Sequence, residues 1–277
     1  MNLLSFSSKV VYGHVGHSAS KLLLERLGHT VWAIDTVVLS NHPGYGRHVG
    51  RVTPANEIRA LAAAVEALGL YSKCGAVFSG YLGSAANGEA VEEAVRGVKH
   101  ANPEAIFVCD PIMGDRHSGL YVAADIPAAF AEKLLPLADI ALPNGFELEH
   151  LTGRSVHDVE SAVLAADRLR GLGVRTVIAT GIGASNAVST LAVSDDSAWV
   201  VETARLACRA SGTGDAFAAL LLGHLCTGMS IADAFTRSVS GVYSLIEATG
   251  EGAELAVIAA QDQAVRPSRL WSARRLR

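Results

Sequence analysis

The sequence has few cysteines, few charged residues and no long apolar run. Its 277 residues include four cysteines and no Cys-x-x-Cys pair, which indicates reduced thiols rather than a disulfide framework or a zinc site. No apolar stretch approaches the roughly 18 residues that span a bilayer, and the first residues lack the basic region and cleavage site of a signal peptide. We therefore expect a cytoplasmic protein that does not bind a membrane.

The chain also has no excess of positive charge. Charged residues make up 18% of it, the formal net charge is −4 and the isoelectric point is near 6.2. Such a chain has little with which to neutralise a nucleic-acid backbone, so we expect small-molecule partners and no nucleic acid. The one basic segment, residues 266–277 with five arginines, is typical of a solvated end rather than a binding arm.

The composition predicts a folded domain, because half of the residues are apolar and can form a large core. Short β-branched runs alternate with stretches rich in alanine and leucine. The runs predict strands at 3–6, 31–39, 76–79, 105–109, 139–142 and 176–180. The other stretches predict helices at 18–27, 54–68, 88–99, 127–135, 159–172, 214–226 and 231–247. We find no repeat or linker, so we expect a single domain over residues 1–277.

This alternation predicts an α/β fold. Right-handed crossovers would give a central, mostly parallel sheet with helices on both faces. Residues 187–201 break the pattern, because two apolar runs flank Ser-Asp-Asp-Ser there, and they predict a β-hairpin at the sheet edge. Ligands bind beyond the carboxyl ends of the strands in such sheets, so the loops after strands are the candidate site.

One such loop, Ser211-Gly-Thr-Gly-Asp215, directly precedes an apolar helix. Glycine lets the backbone turn tightly, so that free N–H groups at the helix start can face an anion. Asp215 in the first turn could accept the proton of an attacking hydroxyl. The pattern is equally consistent with an acidic residue that stabilises a helix start, and the sequence leaves both interpretations open.

Two further loops are rich in oxygen ligands. Asn144-Gly-Phe-Glu147 follows a predicted strand and suits a hydrated Mg²⁺, although Asn with Glu three residues later is also the spacing of a capping box. Asp110 and Asp115 follow another strand and could orient metal-bound waters near a polyphosphate. A solvated turn is an equal alternative for this second loop.

Other phosphate-binding motifs are missing from the sequence. No Gly-x-x-x-x-Gly-Lys-Ser/Thr segment occurs, which excludes an ordinary P-loop. In Gly181-Ile-Gly183-Ala-Ser-Asn186 an asparagine stands where a dinucleotide fingerprint has its third glycine. Phosphate binding must therefore depend on residues 212–215.

In combination, these motifs resemble a known superfamily. Ser211-Gly-Thr-Gly-Asp215 is similar to the anion-hole motif of ribokinase-like kinases, and Asn144-x-x-Glu147 is similar to their metal and phosphate motif. Five segments resemble the pyridoxal kinase family more specifically: Ser8-Lys-Val-Val-Tyr-Gly-His14, Ser40-Asn-His42, Ser79-Gly-Tyr-Leu-Gly-Ser84, Cys109-Asp-Pro-Ile-Met-Gly114 and Ala259-Ala-Gln-Asp262. The resemblance runs from residue 3 to about residue 273.

The resemblance implies a ribokinase-like three-layer α/β/α sandwich that forms a homodimer. It implies MgATP as the phosphoryl donor, with a monovalent cation as a candidate activator. It also implies pyridoxal and related vitamers as the acceptor, and pyridoxal 5′-phosphate as the product.

The same resemblance assigns roles by position. Asp215 resembles the general base for the 5′-hydroxyl, and the amides of Gly212, Thr213, Gly214 and Asp215 resemble the hole that holds the moving phosphoryl group. Nucleotide-side positions are Asp110, Leu142, Glu147, Thr180, Thr203, Ala204, Arg205 and Leu206. Positions near the metal and its waters are Asp115, Asn144 and Glu147. Positions around the acceptor are Ser8, His42, Pro43, Gly44, Tyr81 and Asp215.

The chain departs from the family at two notable positions. Many relatives have threonine where this chain has Pro43, so a side-chain hydrogen bond to the acceptor is lost there. The asparagine that usually follows the Tyr-Gly-His-x-Gly stretch is His17 here. Because residues 212–215 and 144–147 do not select the acceptor, a kinase for hydroxymethylpyrimidine or a sugar remains an alternative. A vitamer-binding protein without turnover is another.

Overall fold

The computed structural model describes residues 1–183, 186–208 and 210–277. The strands are β1 (Asn2–Tyr12), β2 (Thr30–Asn41), β3 (Gly50–Val52), β4 (Cys74–Ser79), β5 (Ile106–Cys109), β6 (Gly114–Asp115), β7 (Gly119–Leu120), β8 (Ile140–Ala141), β9 (Thr176–Ile182), β10 (Ala187–Val193), β11 (Ala198–Ala204) and β12 (Arg274–Arg275). The α-helices are α1 (His17–Arg26), α2 (Ala55–Ala67), α3 (Ala85–Ala101), α4 (Ile126–Ala129), α5 (Gly145–Thr152), α6 (Val159–Arg170), α7 (Thr213–Cys226), α8 (Ile231–Thr249) and α9 (Gln261–Val265).

Ten strands form one central sheet in the order β12-β11-β10-β9-β8-β5-β4-β1-β2-β3. Six of these strands form a parallel group, in which each strand pairs parallel with its neighbours: β1, β2, β4, β5, β8 and β9. The remaining strands pair antiparallel at the two ends of the sheet. Strands β6 and β7 form a separate two-stranded ribbon. The prediction of a central, mostly parallel sheet is confirmed.

Helices cover both faces of the sheet, because successive side chains of a buried strand point to opposite sides. Leu4 and Phe6 of β1 belong to one apolar core, with Ile58 of α2 and Val91 of α3. Leu3 of the same strand belongs to a second core, which contains side chains from α1, α7, α8 and α9. The molecule is therefore a three-layer α/β/α sandwich, as predicted.

Six of the seven predicted helices are present, with ends within about three residues of the prediction. The helix predicted at 127–135 is irregular. It begins as α4, continues as a π-helical turn over Phe130–Leu134 and ends as a 3₁₀ turn over Leu135–Leu137. Pro136 lies in this last turn, and proline has no N–H to donate and disfavours a regular helix before it.

The basic C-terminal segment corrects two expectations. The predicted hairpin is present as β10 and β11, but β12 pairs with β11 and is the outermost strand at that end. The segment is largely exposed to solvent, as expected, but it is not free. Arg277 donates to both carboxylate oxygens of Asp167 at 2.7 Å, and Trp271 packs against the core on the α8 face. Main-chain pairing and packing together hold residues that composition alone suggested would be free.

None of the described helices combines the length and the apolar character that crossing a membrane requires.

Candidate active site

The start of α7 provides free backbone donors. Gly212 has φ 93°, and a Cβ atom there would overlap the backbone oxygen of His14, so only glycine fits this turn. The first N–H groups of a helix have no acceptor within it, and no side chain of the described residues caps α7. A Cβ atom added to Gly214 would meet nothing within 4 Å. The amides at this helix start are therefore accessible to an anion.

Asp215 lies in the first turn of α7 beside these amides. Its Oδ1 atom is buried and has no hydrogen-bond partner among the described residues. Burial raises the pKa of Asp215, while a backbone hydrogen bond from Gly16 and the charge of His17 lower it. A buried carboxylate with a free oxygen is well suited to accept a proton from a hydroxyl brought next to it.

Asn144 and Glu147 form the predicted capping box at the start of α5. Asn144 Oδ1 accepts hydrogen bonds from the backbone N–H groups of Phe146 and Glu147, at 2.9 and 3.0 Å. Glu147 Oε2 accepts from the N–H of Asn144 at 2.8 Å. The local interpretation of this motif is therefore correct, and a metal-binding role for the two residues stays a prediction.

The second oxygen of Glu147 ties α5 to the loop after β5. Oε1 accepts hydrogen bonds from the N–H groups of Met113 at 2.9 Å and Gly114 at 3.4 Å. Glu147 is only 2% exposed. Burial raises its pKa to about 7, although its three amide donors act against the shift. Ionised Glu147 is thus costly unless a cation lies nearby.

Four carboxylates lie near the contact between α5 and the loop after β5. Burial and the charges of Glu147 and Asp215 raise the pKa of Asp110. Partial burial, followed by the charges of Glu147, Asp110, Asp115 and Asp215, raises the pKa of Tyr121. The fold therefore brings together acids that lie on three different loops in the sequence. Such a concentration of negative oxygens suits a hard divalent cation such as Mg²⁺.

These acids do not form a ready-made cage. Within the described ranges, no three His, Cys, Asp or Glu side chains are close enough to hold a metal among themselves. Asp115 also has a local role, because its Oδ1 accepts from the N–H groups of His117 at 2.8 Å and Ser118 at 2.7 Å in the turn between β6 and β7. The residues suit Mg²⁺ that keeps several waters and contacts phosphate oxygens.

The predicted nucleotide-side residues lie at the same edge of the sheet. Thr180 on β9 forms a parallel bridge with Asn144, and its N–H donates to the oxygen of Pro143 at 3.0 Å. Thr203 and Ala204 end β11 and pair with Val188 and Ala187. Leu142 is buried in the core, so its side chain contributes packing.

On the acceptor side, Gly16 joins two predicted site residues. A Cβ atom on Gly16 would overlap the backbone and hydroxyl oxygens of Ser8, and the Gly16 backbone lies close enough to the Asp215 carboxyl to lower its pKa. Ser8 follows an irregularity in the pairing of β1 with β2. Tyr81 lies after β4 and is half-buried, which raises the pKa of its hydroxyl. Ser8 and Asp215 therefore flank the same short loop.

A cavity of about 170 Å³ opens between this loop and residue Ser211. His42 and Gly44 line it, and His42 Nδ1 lies 3.5 Å from Ser211 Oγ. Pro43 is the first residue of the 3₁₀ turn Pro43–Tyr45. It is exposed and does not line the cavity. Two of the three residues predicted from this segment therefore face the cavity.

Sequence reasoning missed the opposite wall of the cavity. Glu254 Oε2 accepts from the N–H of His14 at 2.9 Å, and Glu254 Oε1 accepts from the hydroxyl of Tyr45. Burial lowers the pKa of His42, and the charge of Glu254 acts against this shift. No local motif marks Glu254, because its contacts are more than 200 residues away in the sequence.

Comparison with known proteins resolves the family. The family model for phosphomethylpyrimidine kinase matches residues 26–257. The chain is 41% identical to pyridoxal kinase PdxY of Rubrobacter xylanophilus, over the whole of this chain and 98% of the relative. The chain belongs to the pyridoxal kinase family. Pyridoxal kinase PdxY of Corynebacterium diphtheriae is 39% identical, with 96% of each chain covered.

Solved structures of pyridoxal kinases share the whole fold. The structure of pyridoxal kinase from Leishmania donovani in complex with ADP and pyridoxamine has a TM-score of 0.95 and 29% identity, with 100% of this chain and 99% of the other covered. Pyridoxal kinase from Trypanosoma brucei has a TM-score of 0.91 at the same identity, with 99% of each chain covered. The ribokinase-like architecture inferred from the motifs is confirmed.

Proposed function

We propose that the protein transfers the γ-phosphoryl group of ATP to the 5′-hydroxymethyl group of pyridoxal or a related vitamer. The observation that carries this proposal is the position of Asp215. Its carboxylate, with Oδ1 buried, lies between the accessible amides of α7 and the loop after β1, where Gly16 contacts Ser8, and the cavity begins at nearby Ser211. A proton acceptor and an anion site thus adjoin one small-molecule cavity.

Asp215 would take the proton of the acceptor hydroxyl as the oxygen attacks phosphorus. A positioned general base typically contributes about 10²–10⁴-fold to the rate. The amides of Thr213, Gly214 and Asp215 would donate to the oxygens of the moving phosphoryl group, where the positive end of the helix dipole also favours negative charge. Phosphoryl transfer needs positioning and charge stabilisation more than covalent chemistry, and this helix start supplies both.

The acidic group beyond β5 and β8 would serve the nucleotide and its metal. Bound Mg²⁺ would neutralise polyphosphate charge, with Asp110, Asp115, Asn144 and Glu147 holding its waters or the ion itself. Thr180 adjoins Asn144, and Thr203, Ala204, Arg205 and Leu206 would line the outer part of the nucleotide site. A monovalent cation as activator stays a prediction.

The wall of Glu254, His42 and Gly44 would face the vitamer ring, together with Ser8 and Tyr81. Pro43 supplies no side-chain donor and is exposed, so backbone and imidazole groups would replace the threonine contact of many relatives. We infer that recognition of the ring substituents depends on the neighbours of Pro43 rather than on the proline itself.

A coupled assay of ADP release tests the proposed activity. Pyridoxal is expected to support MgATP-dependent turnover, while a vitamer-binding protein without catalysis would bind pyridoxal and release no ADP. The matching family model is described as phosphomethylpyrimidine kinase, so a pyrimidine kinase that acts on hydroxymethylpyrimidine is the second candidate. A higher kcat/KM for hydroxymethylpyrimidine than for pyridoxal would favour that candidate, and turnover of ribose alone would favour a sugar kinase.

The predicted homodimer is supported by an exposed apolar patch at the β3 end of the sheet. Val11 is 84% exposed and Val49 is 80% exposed, and Tyr12 and Val52 are partly exposed nearby on β1 and β3. Such surfaces commonly mark protein interfaces. Light scattering tests this point: Val49→Asp is expected to give a monomer, and an unchanged mass would place the interface elsewhere. The cytoplasmic location stays a prediction.

A further inference from the structure

A second cavity lies at the end of α7 that is remote from Asp215. It has a volume of about 350 Å³, which falls within the range of about 300–1,000 Å³ that is usual for small-molecule sites. Three arginines line it: Arg26 at the end of α1, Arg237 on α8 and Arg266 after α9. Arginines from three separate helices thus converge on one space.

These arginines have little negative charge around them. Arg26 pairs with Asp262 at 2.5 Å. In the described part of the chain, neither Arg237 nor Arg266 forms an ion pair or donates a side-chain hydrogen bond to protein. One carboxylate therefore faces three guanidinium groups. Guanidinium groups bind phosphate in a two-pronged geometry, and a phosphate monoester carries about −1.5 to −2 charge at neutral pH.

His224 supplies an independent indication of a ligand. It is only 2% exposed and lines the same cavity, yet neither ring nitrogen has a hydrogen-bond partner among the described residues. Burial, followed by the charges of Arg237 and His29, lowers its pKa to about 4. The ring therefore lies close to Arg237. Buried polar groups are nearly always hydrogen-bonded, so an unpartnered imidazole suits a bound oxygen acceptor.

The C-terminal end of α7 carries partial negative charge that disfavours an anion, and hydrogen-bond donors offset part of it. The His224 carbonyl oxygen accepts from Thr227 Oγ1 at 2.7 Å and from the Thr227 N–H at 3.1 Å. His224 and Asp215 are nine residues apart on one helix, or about 14 Å at 1.5 Å per residue. The cavity is therefore separate from the catalytic end.

We propose that the cavity bounded by Arg26, Arg237, Arg266 and His224 is a second anion site, which binds a small phosphate-bearing molecule. The guanidinium groups would bind the phosphate oxygens, and His224 would donate a hydrogen bond from one ring nitrogen. Two sources fit this chemistry, free phosphate and the phosphate of an organic monoester.

Methionine labelling tests the site directly. The chain has three methionines, of which Met229 lines the cavity and Met113 lies beside Glu147. We expect inorganic phosphate, added to protein labelled with ¹³C on the methionine methyl groups and saturated with MgADP, to shift the Met229 signal saturably. The Met113 signal should stay in place, and sodium chloride at equal ionic strength should cause no saturable shift. A Met229 signal that neither inorganic phosphate nor phenyl phosphate moves would overturn the proposal.

Variants locate the binding to these arginines. Arg237→Ala is expected to weaken phosphate binding about tenfold or more, since a charge-assisted hydrogen bond is lost. The matched control is Arg168→Ala, an exposed arginine on α6 that lies across the sheet and should leave binding unchanged. Affinities that are equal in wild type and Arg237→Ala would contradict the site.

Two further measurements complete the test. Because Arg266 is exposed, Arg266→Ala should fold normally and still weaken binding, so the test survives if Arg237→Ala unfolds. Phenyl phosphate distinguishes the sources. Tighter binding than inorganic phosphate would assign the site to an organic monoester, and weaker binding would assign it to free phosphate. Failure of phenyl phosphate and inorganic phosphate alike would reject the site without affecting the proposed kinase activity.

Discussion

His17 Nδ1 lies 2.7 Å from Asp35 Oδ1, and the other ring nitrogen of His17 lies 2.8 Å from Ser5 Oγ. His17 is 4% exposed and directly follows Gly16, whose backbone lies close enough to the Asp215 carboxyl to lower its pKa. The His17–Asp35 pair therefore lies next to Asp215, the residue that we propose as the general base.

His17→Asn should move the acid limb of the pH–rate profile to higher pH. The charge of His17 lowers the pKa of Asp215 against the effect of burial, so its removal raises that pKa. The base must be deprotonated to act, and activity would then be lost at a higher pH as the solution is acidified. Profiles of kcat/KM for both proteins test this, with the exposed His100→Asn as control. Coincident acid limbs would show that His17 is purely structural.

Asp215→Asn should reduce kcat roughly 10²-fold or more, because it removes the proton acceptor while keeping the side-chain shape. The KM for pyridoxal should change little, since the amides and the cavity wall remain. Steady-state kinetics of wild type and Asp215→Asn measure this change. The control is Asp196→Asn, which removes an exposed aspartate between β10 and β11 and should leave kcat unchanged. Near-normal turnover in Asp215→Asn would reject the assignment.

Glu147→Gln should make the free energy of unfolding less sensitive to pH. Burial raises the pKa of Glu147 from 4.5 to about 7, so the native state holds this proton more tightly than the unfolded chain. The free energy of unfolding therefore falls as pH rises through this range, by about 3 kcal/mol for this group at most. Urea unfolding without nucleotide at pH 5 and pH 8 measures the fall.

The matched control for that experiment is Glu104→Gln, because Glu104 is exposed and distant from the acidic group. The control should lose as much stability between the two pH values as wild type. If Glu147→Gln loses as much stability between these pH values as wild type, other groups already stabilise the ionised form of Glu147 in the native state.

Glu254→Gln should alter the choice between vitamers. The carboxylate lines the acceptor cavity, and pyridoxamine carries an amine that is cationic at neutral pH, whereas pyridoxal does not. Removal of this charge should lower kcat/KM for pyridoxamine relative to pyridoxal several-fold, with little change in the KM for ATP. Glu251→Gln alters the same loop outside the cavity lining and is the control. An unchanged ratio would remove Glu254 from recognition of the amine.

Local patterns predicted most of the fold. The runs that became β1, β4 and β9 are short and mainly apolar, and the capping box at Asn144 and Glu147 is complete within four residues. Features of this kind depend on neighbours in the sequence. The two-residue strands β6, β7 and β12 carry no such pattern, because their pairing depends on where the rest of the chain places them.

The glycine-rich start of α7 was likewise predictable, and the cavity wall that contains Glu254 was not. Residues 212–215 combine two glycines with an acid before a helix, which is a local signal of an anion site. Glu254 and Tyr45 meet across more than 200 residues of sequence, and neither belongs to a recognisable motif. Their contact exists only because β2 and the loop after α8 end at the same edge of the sheet.

The position of β12 links the outermost strand to the helical layer. Arg274 and Arg275 pair with β11, and two residues later Arg277 donates to both carboxylate oxygens of Asp167 on α6. An uncovered strand edge is a template for pairing with another chain, and β12 occupies that edge of β11. Displacement of β12 would therefore expose β11 to intermolecular pairing and aggregation.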